Sequence, residues 1–169
     1  MSAEYLIAFD SERCVACHGC TVACKTWRER PLGVYCRRIV KLWQPGETMP
    51  RLRHVSLSCR HCAEPACLAA CPEGAISKNA DGAVLVDEAK CVGCRACEAA
   101  CPFDVPQFPD DGEGKMVKCD LCVGRYDRDK EEPPCVATCP THALKLIKAS
   151  PEEKKTSEAA LLRLLESAR

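Results

Sequence analysis

An α+β fold made of two copies of one small cysteine-rich unit, one inserted in the other, is what this sequence predicts, and three observations predict it. Cysteine supplies 17 of the 169 residues, and all but Cys36 fall into four tight runs. Short apolar stretches of strand length flank the runs. The chain also repeats itself. Val86-Asp87-Glu88-Ala89-Lys90-Cys91 echoes Phe9-Asp10-Ser11-Glu12-Arg13-Cys14, and Cys71-Pro72-Glu73-Gly74-Ala75-Ile76 echoes Cys139-Pro140-Thr141-His142-Ala143-Leu144.

The runs are Cys14-x2-Cys17-x2-Cys20-x3-Cys24, Cys59-x2-Cys62-x4-Cys67-x3-Cys71-Pro72, Cys91-x2-Cys94-x2-Cys97-x3-Cys101-Pro102 and Cys119-x2-Cys122-x12-Cys135-x3-Cys139-Pro140. This is the spacing that wraps iron–sulfur cubes: three thiolates curl around one cube, and the fourth, at the start of a departing segment, ligates the other cube of a pair. The rule gives four 4Fe-4S clusters held by Cys14, Cys17, Cys20 and Cys139; by Cys24, Cys119, Cys122 and Cys135; by Cys59, Cys62, Cys67 and Cys101; and by Cys71, Cys91, Cys94 and Cys97. The x4 and x12 spacings insert loops without changing the ligand count. The first run departs from the others in having Lys25 rather than proline after its last cysteine.

Placed on these motifs, the two units are of bacterial-ferredoxin type. The inner unit, 56–107, is contiguous: Ala75 to Ser77 and Ala83 to Val86 form a hairpin across the turn at Asn79 to Gly82. The outer unit, 1–35 plus 108–149, joins the two ends of the chain, with Tyr5 to Phe9 as one strand and Ala143 to Ile147 as its partner. Residues 36–55 form a further hairpin, with strands from Arg38 to Trp43 and from Arg51 to Ser56 joined at Gln44-Pro45-Gly46-Glu47. Phe108 to Gly114 and Arg125 to Pro134 are polar loops, the second a candidate docking surface. In 150–169 the string Ser150-Pro151-Glu152-Glu153 combines an N-cap, a proline at the first helical position and a capping-box glutamate. Ala159, Leu161, Leu162, Leu164, Leu165 and Ala168 then give this helix an apolar side, for packing on its own body or docking on a partner.

Composition narrows the function. Net charge is zero, with 24 residues of each sign, so neither nucleic acid nor an anionic membrane is favoured. The N-terminus shows no basic and apolar leader, and no apolar stretch approaches the roughly 20 residues needed to span a bilayer. The expectation is a soluble, cytoplasmic protein, with export on a signal-bearing partner as the alternative route. Two tryptophans, three tyrosines and three phenylalanines make a large conventional core unattainable. Metal bonds must replace part of it, and the metal-free chain is expected to be largely unfolded. Structural zinc or a disulfide scaffold would be the other uses of so many cysteines. Third cysteines at x2 and the ligand–proline steps favour the cube.

The strings Arg60-His61-Cys62-Ala63-Glu64-Pro65-Ala66-Cys67, Lys90-Cys91-Val92-Gly93-Cys94-Arg95-Ala96-Cys97 and Lys118-Cys119-Asp120-Leu121-Cys122 resemble those of a known family. It is the four-cluster, polyferredoxin-like electron-transfer subunit of molybdenum and tungsten enzymes such as dimethyl sulfoxide reductase, formate dehydrogenase and polysulfide reductase. The resemblance covers about 5–148. It implies a non-catalytic subunit that relays electrons between a molybdenum or tungsten pterin subunit and a second redox subunit, a soluble acceptor or neighbouring copies of itself. It implies the same crossed ligation. A free-standing electron shuttle is the alternative. No catalytic residue is assigned. Cys36 is expected to pack in the core, His18 and His61 to serve beside the ligands rather than among them, and Trp43 to pack in its hairpin. Lys25, Arg95 and Lys118 stand beside ligands, where they either offset cluster charge or are ordinary solvated charges.

Overall fold

The computed structural model describes residues 3–46, 48–110, 114–127 and 130–167. Its six strands make three separate antiparallel ribbons. β1 (Glu4–Phe9) pairs with β6 (Leu144–Ala149), β2 (Arg37–Gln44) with β3 (Arg51–Ser58), and β4 (Ile76–Lys78) with β5 (Val84–Val86). The β1–β6 register runs from Glu4 opposite Ala149 to Phe9 opposite Leu144 and joins the two ends of the chain. β1 is apolar from Tyr5 to Phe9, with Leu6 and Ile7 both buried, while β6 turns Leu144 inward and leaves Lys145 in water.

Two pairs of short helices complete the pattern. α1 (Gly19–Trp27) packs against α4 (Pro134–Ala137), and α2 (Ala66–Ala69) packs against α3 (Ala96–Ala100). Each helix carries cysteines of one run. On α1, Cys20 and Cys24 are four residues apart and therefore share a face, the buried one. Helices of four or five residues have no independent stability, so their packing and the thiol chemistry at their starts must hold them. Every apolar core cluster contains or touches cysteines: Ile7, Leu121, Val136 and Leu144 surround Cys20, Cys24 and Cys135; Ile76, Val84 and Met116 surround Cys97; and Leu57, Phe103 and Val105 back onto Cys59, Cys62 and Cys101.

The structure extends or shifts several expected elements. The 36–55 hairpin is longer than expected at both outer ends, and its connection spans 45–50, of which Glu47 lies outside the described residues. Parts of the two polar loops, 111–113 and 128–129, also lie outside them. Trp43 does not pack in its hairpin: it is 61 % exposed, because β2 turns that side to solvent where no layer covers it.

Helix α5 (Pro151–Glu166) begins with the expected capping box: Ser150 Oγ accepts the Glu153 amide at 3.3 Å, and Glu153 Oε2 accepts the Ser150 amide at 2.7 Å. Leu161, Leu162 and Leu165 lie against Leu57, Phe103 and Val105, each half-buried contact contributing on the order of 1 kcal/mol. Lys154 anchors the first turn. Its side chain is fully buried, and its Nζ donates to Glu4 Oε2 at 2.8 Å and to the His61 carbonyl at 3.0 Å. Lys78 approaches the same carboxylate at 2.9 Å. Two cations hold the Glu4 carboxyl below the usual range despite the opposing pull of burial. Gly82 closes this junction between strand β1, the β4–β5 turn and α5. At φ +78° it occupies the left-handed region, and a Cβ there would stand 2.4 Å from Glu4 Cβ.

Candidate metal centres

The first Cys-x2-Cys loop of each of the four runs shares one backbone device. The residue before the second cysteine is left-handed in all of them: Ala16 (φ 53°), His61 (48°), Gly93 (70°) and Leu121 (56°). Three of these are not glycine, and each such residue costs about 1 kcal/mol or more. The turn folds the loop back on its own first thiol. His61 N donates to Cys59 Sγ at 3.5 Å and Leu121 N to Cys119 Sγ at 3.4 Å. A second device follows the three Cys-Pro steps, where Gly74, Asp104 and His142 are left-handed. The next amide then donates to the cysteine four residues back, from Ala75 to Cys71 at 3.4 Å and from Ala143 to Cys139 at 3.3 Å. These amides favour the thiolate, and with the Thr141 hydroxyl they lower the Cys139 thiol although burial pulls it up.

Thiols of different runs come together. Cys14, Cys17, Cys20 and Cys139 line one small cavity, roofed by Phe9, Ile39 and Leu144. Cys71, Cys91, Cys94 and Cys97 line another, with Ile76, Val86 and Met116. Cys24 faces Cys119 and Cys135, and Cys122 faces Cys135. Cys62 faces Cys59, Cys101 and Cys67. Burial, with the repulsion of neighbouring negative groups, pushes Cys62 up to about 12 and Cys122 to about 11. Four such thiolates stand together only around a compensating cation. Among the described residues no three His, Cys, Asp or Glu side chains converge on a single ion. All seventeen cysteines are free thiols. The donor set and the amide bonds to sulfur fit 4Fe-4S clusters.

Comparison with known proteins adds the family. Residues 51–149 match the 4Fe-4S dicluster domain, and residues 11–27 match a 4Fe-4S binding domain. The B subunit of the anaerobic dimethyl sulfoxide reductase of Haemophilus influenzae is 42 % identical over 83 % of this chain and 72 % of its own length. The thiosulfate reductase electron transfer subunit of Salmonella typhi is 38 % identical over 84 % and 74 %. The formate dehydrogenase iron-sulfur subunit of Wolinella succinogenes is 38 % identical over 80 % and 76 %. This chain belongs to the family of iron–sulfur electron-transfer subunits of the dimethyl sulfoxide reductase and formate dehydrogenase type. Its cofactors are 4Fe-4S clusters, and the members of this family are electron-transfer rather than catalytic subunits.

In this iron–sulfur subunit the residues beside the ligands take distinct parts. His61 is buried and accepts the Val84 amide on Nδ1 at 2.9 Å, while His18 is exposed at the start of α1; His61 braces the inner hairpin. Lys118 is buried, donates to the carbonyls of Val84 and Cys119, and lends its charge to Cys67. Lys25 instead donates to the Pro31 and Val34 carbonyls and lies over the Tyr35 ring, and Arg95 lies over Phe108 and meets Glu98. Cys36 is buried, as packing requires, and its thiol shares a hydrogen bond with Cys24. Sequence reasoning missed Arg37, Ser56 and Arg60, three buried polar side chains among the thiols. Their signal was faint: two arginines at positions that strand alternation or ligand spacing assigns to the interior.

Proposed function

We propose that this chain relays electrons through four 4Fe-4S clusters held in a row, by the ligand sets Cys14, Cys17, Cys20, Cys139; then Cys24, Cys119, Cys122, Cys135; then Cys59, Cys62, Cys67, Cys101; then Cys71, Cys91, Cys94, Cys97. The observation that supports the reading is that thiols distant in sequence come together, Cys139 with Cys14, Cys17 and Cys20, and Cys71 with Cys91, Cys94 and Cys97. Successive groups adjoin. Arg37 interacts with Cys20 of the first group and with Cys24, Cys119 and Cys135 of the second. Cys119 of the second interacts with Cys59 of the third, and Cys67 of the third with Cys97 of the fourth.

Each cluster, when bound, exchanges one electron at a potential set by its surroundings. The chain's own residues supply those surroundings. Amides of the left-handed loops point at sulfur, Leu121 and Val136 exclude water from the middle of the row, and Lys118 places a positive charge beside Cys67. In architecture, 56–107 is read as a ferredoxin-like unit inserted within a second one made of 1–35 and 108–149. The 36–55 hairpin and the 150–169 helix are additions to them. The β1–β6 pairing of the chain ends around the β4–β5 hairpin supports this.

The partners are a catalytic molybdenum or tungsten pterin subunit at one end of the row and, at the other, a second redox subunit, a soluble acceptor or another copy of this chain. Thiolate ligands must be delivered reduced, which places cluster assembly in the cytoplasm. Among the described residues no helix is long and apolar enough to cross a membrane. Anaerobic size-exclusion of native extract tests the reading. Co-elution with a large pterin-containing protein is expected, with about sixteen irons per chain and a paramagnetic signal after dithionite. A loaded monomer eluting alone would favour the shuttle, and far fewer irons would end the four-cluster reading.

A further inference from the structure

Arg37 opens β2 and is 2 % exposed. Its Nη1 donates to Ser56 Oγ at 2.9 Å and more weakly to the Ser56 carbonyl at 3.4 Å. Ser56 Oγ in turn lies 3.5 Å from Cys20 Sγ, so a thiolate there accepts the hydroxyl proton. The other terminal nitrogen, Nη2, is buried and has no partner among the protein's atoms. No ion pair to a carboxylate involves Arg37 among the described residues. A guanidinium does not lose its charge to escape burial, so a buried one needs acceptors and negative partners nearby. Burial opposes its charge, and the thiolates of Cys135, Cys119, Cys20 and Cys24 outweigh that and hold it. These four belong to two different groups of ligands.

Arg60 gives the contrast. It is also buried and lies near the third group, but its terminal nitrogens are already engaged, Nη1 by the Ile7 carbonyl at 3.2 Å and Nη2 by Ser157 Oγ at 2.6 Å. Arg60 braces α5 against β1. Arg60 keeps only its Nε without a partner, whereas Arg37 has a whole terminal nitrogen left over, and thiols of Cys135, Cys119, Cys20 and Cys24 lie around it.

We propose that Arg37 is a shared electrostatic clamp for the first two clusters of the row: its free Nη2–H donates to sulfur of the cluster held by Cys24, Cys119, Cys122 and Cys135, while Nη1, through Ser56, supports Cys20 of its neighbour. This rests on the four-cluster reading above. Fixed positive charge between two clusters favours the more negative, reduced form of each, and hydrogen bonds to sulfur act in the same direction. It also weakens the repulsion that one reduced cluster exerts on the next, so both can hold an electron at once. Arg37 is a positioning residue that tunes the relay and is not itself a ligand.

The test is a redox titration followed by electron paramagnetic resonance on anaerobically purified, cluster-loaded protein carrying Arg37→Gln or Arg37→Lys. Arg37→Gln is expected to keep about sixteen irons and to lower two of the four midpoints. For the nearer cluster the expected change is about tenfold in the one-electron equilibrium, or about 59 mV. Arg37→Lys, which keeps the charge, recovers most of that loss, and the other two midpoints stay where they are. A fully loaded Arg37→Gln protein with four unmoved midpoints overturns the clamp and leaves the four-cluster reading standing. Too little iron in the unaltered protein overturns that reading instead. Should Arg37→Gln fail to load, unaltered protein grown with nitrogen-15 arginine decides the matter. A nitrogen hyperfine coupling to a reduced cluster, lost in Arg37→Lys, supports the clamp, and its absence sinks it.

Discussion

Cys17 and Cys94 stand in solvent, each two residues from an exposed valine, Val15 at 64 % and Val92 at 65 %. Cys24, Cys122 and Cys135 lie instead behind Leu121, Val136 and Leu144. The two exposed cysteines occupy the same place in the repeat, at opposite ends of the proposed row, and the proposed second group, with Cys24, Cys122 and Cys135, holds more buried thiols than any other. The loops that present Cys17 and Cys94 are alike in sequence, whereas Cys24 and Cys135 sit on helices α1 and α4, so the difference follows both the local backbone and what packs over each thiol. An open thiol beside an apolar residue suits an end that meets a partner, because contact then excludes water from the gap. A closed one suits a relay that must keep water and oxidants out while it is charged. The middle is also where the buried cations collect: Arg37, Arg60 and Lys118 are each less than a tenth exposed.

Ligand replacement should expose this difference most strongly. Cys135→Ser removes a ligand inside the main apolar core, and the chain is expected to lose its fold along with more than one cluster. Cys94→Ser at the open end is expected to lose one cluster and keep the rest, about twelve irons by metal analysis, with a cooperative circular dichroism melt retained. Equal loss from the two substitutions would erase the distinction between middle and end. A smaller effect is expected at Glu4. Removing it as Glu4→Ala strands the buried Lys154 with only carbonyl partners and should cost about 3 kcal/mol, read as a lowered melting midpoint. It should also loosen α5 and speed oxygen bleaching of the middle clusters ahead of the end ones. The Glu4 carboxyl is held low in the folded chain, so its contribution is full above the ordinary carboxylate range and drains as pH falls through its depressed value. Glu4→Gln should flatten that part of the acid limb of a stability–pH profile. The smallest change in stability, within about 0.5 kcal/mol, is expected for Val15→Glu or Val92→Glu. Either one should slow electron exchange with the partner at its own end only, in a stopped-flow assay with loaded protein.

The cysteine runs and the 4Fe-4S chemistry they suit were the most legible part of this chain. Their spacings are local, and a cube demands them whatever the rest of the fold does. Strands β1 and β6 were legible as apolar stretches beside cysteine runs, and α5 as a capping box, since Ser150 and Glu153 interact across one turn. Less legible was the left-handed backbone at Ala16, His61, Leu121, Asp104 and His142. Gly93 and Gly74 signalled it at two equivalent positions, but the other residues hide the same conformation under side chains that accept strain because sulfur contacts hold the loop. Trp43 was misjudged because hydrophobicity says that a residue would gain by burial, and only the packed structure says whether anything is there to cover it.

By itself, then, the sequence determined how many thiolates there are, how they are strung, and that they suit iron–sulfur cubes, because those facts depend on residues a few positions apart. The tertiary structure decided which thiols are open and which closed, that Lys154 reaches across to Glu4, and that Arg37 comes to rest on Ser56 among four cysteines from both halves of the chain. These depend on segments distant in sequence meeting in a low-dielectric interior, where one uncompensated charge is costly and its partners can be found only by folding.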